Sequence, residues 1–221
     1  MKEQSTSVSM QPGKALRALR TKLGMTLHEV SERTGLSVST VSKLEMGRAS
    51  LSFEKLFAMS EGLGVEMSEL LGALASTSKG AASPAPIGRR VIQRAGDGLP
   101  LKTVPYGQLY PAVERLHKQL IPIVADVYAT TIEEFVAAFG DLTRHAGEEF
   151  AYVLDGEVEF HSELYAPVRL KKGESIYFDS SMGHAYLKAS DAPCRVLCVC
   201  TNAGDREASP GHLKRKERSS I

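Results

Sequence analysis

The 221 residues include 27 Lys or Arg against 26 Asp or Glu, a formal net charge of +1, with 43% hydrophobic and 24% charged residues. Such a composition excludes a wholly disordered chain and leaves room for two modest cores. Cys194, Cys198 and Cys200 are odd in number and crowded near one end, which suits no disulfide framework, while the first residues lack a leader's apolar core and no run reaches the roughly eighteen apolar residues of a membrane span, so a cytoplasmic protein without a membrane partner is expected.

Residues 1–13 are expected to be a disordered N-terminus. From 14 to 74 the apolar residues recur at helical spacing, as in Leu16, Leu19 and Leu23, Val41 and Leu44, or Met67, Leu70 and Leu71, and predict about five short helices. Thr26 with Glu29 forms a capping-box pattern, Gly35 ends that helix, Ser37 starts the next, Gly47 stops it, and Ser52 can cap the fourth. The charge is uneven: residues 14–48 hold seven Lys or Arg against three Glu, whereas residues 49–75 hold one Lys against four Glu. Any nucleic-acid contact therefore belongs to the first part.

The stretch LHEVSERTGLSVSTVSKLEMGR, residues 27–48, resembles the helix-turn-helix of the phage repressor and Cro-like (XRE) family, and the resemblance extends over 14–72. A short glycine-containing turn sets the second helix across the first, and Val41 and Leu44 anchor it, leaving Val38, Ser39, Thr40, Ser42 and Lys43 outward. Small residues at a helix start can reach base edges, and Lys43 can read guanine or hold a phosphate. The resemblance implies that Arg20 pairs with Glu45 and that Arg17, Lys22 and Arg48 lie near a DNA backbone, so the DNA-binding set comprises Arg17, Arg20, Val38, Ser39, Thr40, Ser42, Lys43 and Arg48. One such unit buries little DNA surface, so a homodimer on a double-stranded operator is expected.

Residues 75–88, ASTSKGAASPAPIG, have almost nothing to bury and read as a flexible linker. Beyond them, 89–202 carry twelve basic and fifteen acidic residues. The runs LIPIVADVYA, EFAYVLDGEVEFH, VRLKKGESIYFDS and RVLCVCT alternate in polarity between glycines and predict an all-β barrel or sandwich with no helix of note. Residues 203–221 end in HLKRKER and a few polar residues, expected to be a disordered basic tail.

Residues 143–156 and 173–184 resemble the two motifs of the cupin superfamily, which implies a jelly-roll, or double-stranded β-helix, fold. His145, Glu149 and Gly156 match the second His, the Glu and the Gly of the first motif, and His184 matches the His of the other. Thr143 stands where the first motif has its first His, Asp179 and Ser181 stand where the second usually has Pro and Gly, and Lys188 replaces its terminal Asn. Two imidazoles and a carboxylate are the set that holds a divalent cation with positions left open, so His145, Glu149 and His184 are the metal candidates, with Fe, Zn, Ni and Mn not separable. The other reading makes the histidines hydrogen-bonding pocket residues, with Glu149 satisfied by backbone or Arg144. Thr143, Tyr152 and Tyr177 are the candidates for an effector pocket, and Cys198 and Cys200 for buried reduced thiols.

The order of the two domains resembles bacterial transcription regulators whose barrel binds a small effector and pairs the subunits. It also resembles a non-haem-iron epoxidase of phosphonate antibiotic synthesis, in which a helical domain serves the active site. A third possibility is a barrel that only dimerises the DNA-binding heads. The expected function is sequence-specific DNA binding under control of a small molecule or metal rather than catalysis.

Overall fold

The computed structural model describes residues 12–75, 88, 90–115 and 118–201. The expected disordered ends, apart from Pro12 and Gly13, and almost the whole expected linker lie outside the described residues.

Five helices form the first part: α1 (Pro12–Lys22), α2 (Leu27–Thr34), α3 (Val38–Glu45), α4 (Phe53–Leu63) and α5 (Met67–Leu74). Their limits follow the caps. Thr26 and Glu29 make a reciprocal capping box, Gly35 closes α2 in the left-handed region at φ 70°, and Ser37 and Ser52 accept from the backbone of Thr40 and Lys55. The turn between α2 and α3 is tied by Ser31 Oγ donating to Leu36 O at 2.6 Å and by Leu36 N donating to Thr34 Oγ1 at 3.2 Å. Leu16, Val30, Val41, Leu44, Leu56, Met59, Leu70 and Leu71 are buried between the helices.

One boundary differs from expectation, because α1 starts at Pro12, two residues before the expected start of the domain. A proline suits a first helical position, where its missing N–H has no intrahelical role. The next residue packs rather than dangles: a Cβ on Gly13 would stand 2.5 Å from Leu44 O and 2.6 Å from Glu45 O. Only glycine lets α1 approach the end of α3 this closely.

The second part has nine strands. A six-stranded sheet runs in the order β1 (Leu99–Lys102), β2 (Tyr106–Tyr110), β3 (Leu120–Val127), β9 (Cys194–Thr201), β4 (Glu148–Asp155), β7 (Ser175–Asp179). A three-stranded sheet runs β6 (Val168–Lys171), β5 (Glu157–Ser162), β8 (His184–Lys188). All pairings between these strands are antiparallel, as a jelly roll requires. Gly156 turns β4 into β5 at φ 73°, where an added Cβ would strike the Pro193 carbonyl, so this motif glycine is dictated by space as well as by conformation.

An expectation fails here: the β part does contain a helix, α6 (Ile132–Phe139), capped by Thr131 and closed by Gly140. Its IEEFVAAF pattern is short, but Phe135 is fully buried and Phe139 lies against it at 4.8 Å between ring centroids. With Tyr106 they form an aromatic cluster that closes one side of the barrel.

Candidate functional site

The first candidate surface is α3. Val41, Leu44 and Glu45 are buried, whereas Ser39 and Lys43 are exposed, Thr40 and Ser42 are half-buried and Val38 is 40% exposed. Helical periodicity thus delivers the outward face that the sequence implied. Ser37 Oγ lies within hydrogen-bond distance of Ser39 Oγ and Thr40 Oγ1, at 2.9 and 2.8 Å, so both hydroxyls belong to the cap network of α3. Arg17 and Arg48 are exposed.

Arg20 is the exception among the expected DNA contacts. Its Nε donates to Glu45 Oε1 at 2.6 Å, its Nη2 to Glu45 Oε2 at 2.9 Å and its Nη1 to Met25 O at 2.8 Å. All three nitrogens of the guanidinium are engaged inside the domain. Arg20 therefore ties the end of α3 to the domain core through Glu45, a pairing that is as expected, and its outward reach is limited by the bonds it already makes.

The second candidate site lies in the barrel. His145, in the loop before β4, is fixed by its N–H donating to Ser180 O at 3.0 Å. Glu149 points inward from β4 beside Ala151 and Val153, and Cys200 stands directly opposite it on β9 in the strand register. His184 begins β8. These four residues are all at most 6% exposed.

Their polar atoms converge on one oxygen. Glu149 Oε2 is 3.1 Å from His145 Nε2, 3.4 Å from Cys200 Sγ and 3.7 Å from His184 Nε2. The other oxygen, Oε1, accepts from Tyr186 Oη at 2.6 Å. Burial alone pushes the Glu149 carboxyl up, but the hydrogen bond from His145, the charges of both histidines and the Tyr186 hydroxyl outweigh it and hold it at about 2. Burial also lowers His184 and, together with the Glu149 charge, raises Cys198 and Cys200 well above the usual thiol value.

These residues fit a divalent cation. His184 Nδ1 is 2.9 Å from Met182 O, so it carries the proton, and in the neutral ring the Nε2 lone pair faces a carboxylate oxygen. Two acceptors thus look at one another, an arrangement a cation resolves, and a backbone carbonyl on the far nitrogen is the usual support of a metal-ligating histidine. With His145 Nε2 turned to Glu149, its buried Nδ1 has no partner. A trio of possible ligand atoms lying within 4.8 Å of one another is His145, Glu149 and Cys200, so the cysteine stands closer to this pair than the motif comparison implied.

Two alternatives from the sequence are corrected. Arg144 does not satisfy Glu149; its guanidinium donates to Glu163 Oε2 at 2.6 Å and Asp141 Oδ2 at 3.0 Å. Tyr152 and Tyr177 do not line the cavity beside Glu149, because strand alternation puts them on the outer faces; Tyr177 is 63% exposed and donates to Glu148 Oε2 at 2.8 Å. Thr143 does line it, but its hydroxyl donates to His184 O at 2.9 Å and its backbone pairs with His184 in both directions at 3.0 Å. It is a staple for His184 rather than a substitute ligand.

The sequence missed Tyr106 and Tyr186, did not place the expected buried thiols Cys198 and Cys200 in this cavity, and missed the roof. Ser52, Phe53 and Glu54 at the start of α4 also line it. The Phe53 ring meets the His145 ring edge to face at 4.6 Å, and Lys55 Nζ lies 5.8 Å from the centre of Phe139 in α6. The cavity is about 50 Å³, space for roughly three or four waters. As shaped, it suits an ion with small ligands.

The comparisons with known proteins agree with this division. Residues 16–70 match the family described as Helix-turn-helix and residues 137–200 the family described as Cupin domain. The chain thus carries a helix-turn-helix domain followed by a cupin domain. It is similar to the HTH-type transcriptional regulator PuuR of Escherichia coli (strain K12), with 23% identity over 196 residues, covering 87% of this chain and 95% of that protein. Among solved structures, an HTH_3 family transcriptional regulator from Vibrio cholerae superposes with a TM-score of 0.57 at 16% identity, covering 86% of this chain and 94% of that one, a likeness of fold. Hydroxypropylphosphonic acid epoxidase from S. wedmorenis gives a TM-score of 0.41 at 23% identity, covering 89% of this chain and 100% of that one. No helix among the described residues is long and apolar enough to cross a membrane.

Proposed function

We propose that this chain is a cytoplasmic, sequence-specific DNA-binding transcription regulator that works as a homodimer and whose barrel responds to a divalent cation or a small molecule. The observation that carries the reading is the seating of α3: its apolar side is buried, Arg20 and Glu45 lock its end, and Ser39, Lys43 and the nearby Arg17 and Arg48 remain on the surface. Such a helix can enter a major groove while flanking cations hold phosphates. The likeness to a transcriptional regulator over most of both chains supports the same reading.

The route from barrel to DNA is part of the proposal. The residues that roof the cavity, Ser52 to Glu54, begin the helix that packs on α2, the first helix of the helix-turn-helix. A change around His145 therefore acts on Phe53 first and on the placement of α2 and α3 next. No passage through the linker is needed.

The experiment is fluorescence anisotropy of the purified protein on DNA from upstream of its own gene, with chelator and then with Fe(II) or Zn(II) restored. Tight binding that weakens with salt and resists competitor DNA is expected. Lys43→Ala and Arg17→Ala should each weaken it by about tenfold with the fold intact; unchanged affinity in both sinks the regulator reading. The competing reading is a non-haem-iron enzyme, which the buried His145, Glu149 and His184 would also serve. Absence of DNA binding together with metal-dependent oxygen consumption would favour it.

A further inference from the structure

We infer that Cys200 is a metal ligand, so that the barrel holds its cation through His145, Glu149, His184 and a thiolate, and selects a thiophilic ion such as Zn(II) over an oxygen-preferring one such as Mn(II). The inference rests on the metal reading of the same site and deepens it.

Four observations lead there. Cys200 is paired with Glu149 in the β4–β9 register and faces the same side of the sheet. Its Sγ lies 3.4 Å from the same carboxylate oxygen that both histidines approach. The tight trio of possible ligand atoms contains Cys200 with His145 and Glu149. Thr143, at the motif position that would otherwise supply a further imidazole, has its hydroxyl committed to His184 O. The set thus lacks a nitrogen and has gained a sulfur.

A buried thiol facing a buried carboxylate has an ordinary explanation, a weak S–H donor hydrogen bond. That explanation leaves the crowding unexplained. Three polar groups surround one oxygen, His145 Nε2 at 3.1 Å, Cys200 Sγ at 3.4 Å and His184 Nε2 at 3.7 Å, and the far nitrogen of His184 is held by Met182 O. A cation in their midst turns every member into a ligand. Binding breaks the Cys200 S–H bond and forms a sulfur–metal bond, and the proton leaves to solvent. No oxidant or reductant is involved. Thiolate ligation moves preference toward Zn(II), Fe(II) and Cu(I) and away from Mn(II) and Mg(II).

Cys198 is the natural comparison. It also lines the cavity, two residues along the same strand face, but it stands opposite Ala151 in the register and is outside the tight trio. Cys194, farther along β9, does not line the cavity and serves as the control.

The test uses the full chain loaded with Co(II), whose thiolate complexes show a sulfur-to-cobalt charge-transfer band in the near ultraviolet. The expected result is one Co(II) per chain with that band, its loss in Cys200→Ser and its retention in Cys194→Ser. Competition against Mn(II) should show a Zn(II) preference that falls at least about tenfold in Cys200→Ser, with circular dichroism reporting that the variant is folded. Stoichiometric cobalt without the band, or a band that persists in Cys200→Ser, overturns the inference while leaving the His145, Glu149 and His184 site standing. Failure of the wild-type chain to bind Co(II) or Zn(II) overturns both.

Discussion

Arg20 and Glu45 show how one ion pair fixes the end of α3 inside the helical domain. The pair is bidentate, and the side chains keep only 13% and 5% of their exposure. An exposed pair of this kind would contribute little, but Glu45 cannot regain water if its partner goes. Arg20→Ala should therefore cost on the order of 2–3 kcal/mol of folding stability, read as a lowered urea midpoint. Replacing both residues, as in Arg20→Met with Glu45→Leu, should recover much of that loss, because it is the orphaned carboxylate that is expensive. Full stability in Arg20→Ala, with DNA affinity lost, would instead return Arg20 to the set of DNA contacts. The pairing was legible in the sequence by resemblance alone. The third hydrogen bond, to Met25 O, was not legible, because nothing in the sequence shows that this carbonyl lies within reach of the guanidinium.

Among the elements, α1 approaches the end of α3 closely enough that only glycine fits at the contact. Gly13 lies against the carbonyls of Leu44 and Glu45, so Gly13→Ala pushes the recognition helix or bends α1 away. Overpacking of this kind costs about 1–3 kcal/mol, although alanine is the better helix former. The expected outcome is a lower melting temperature together with weaker operator binding; higher stability would show that α1 can shift at no cost. The helix limits themselves were legible, since Thr26, Gly35, Ser37 and Ser52 all act as their residue types suggest. Other features were not recovered. Helix α6 was legible but missed: Ile132, Phe135, Val136 and Phe139 recur at helical spacing between the Thr131 cap and Gly140, within a stretch read as all-β, and Pro12 and Gly13 were assigned to the terminus because no apolar residue marks them. In the barrel the resemblance to the cupin motifs pointed to His145, Glu149 and His184, whereas Tyr152 and Tyr177 were misplaced for want of strand phase. Cys200 was recognised as a buried thiol but not as a neighbour of Glu149, since the β4–β9 pairing joins residues 51 positions apart.

At the scale of the whole molecule, the two domains meet at the cavity. Phe53 is buried and its ring contacts His145, so α4 belongs at once to the helical core and to the wall of the barrel cavity. Phe53→Leu keeps apolar bulk but removes the edge-to-face contact. The expected result is DNA affinity within about threefold of wild type under chelator, while the change on adding Zn(II) shrinks toward none. A full metal response in this variant would place the coupling elsewhere. The shared wall also binds the two equilibria together in reverse. If filling the cavity alters affinity for an operator by some factor, occupying the operator must alter affinity for the cavity's contents by that same factor. The DNA is then itself an effector of the barrel: chains seated on their operators and chains free in solution would draw from the same ion pool with different strength, and the number of sites in the genome would help to set how many chains carry a metal.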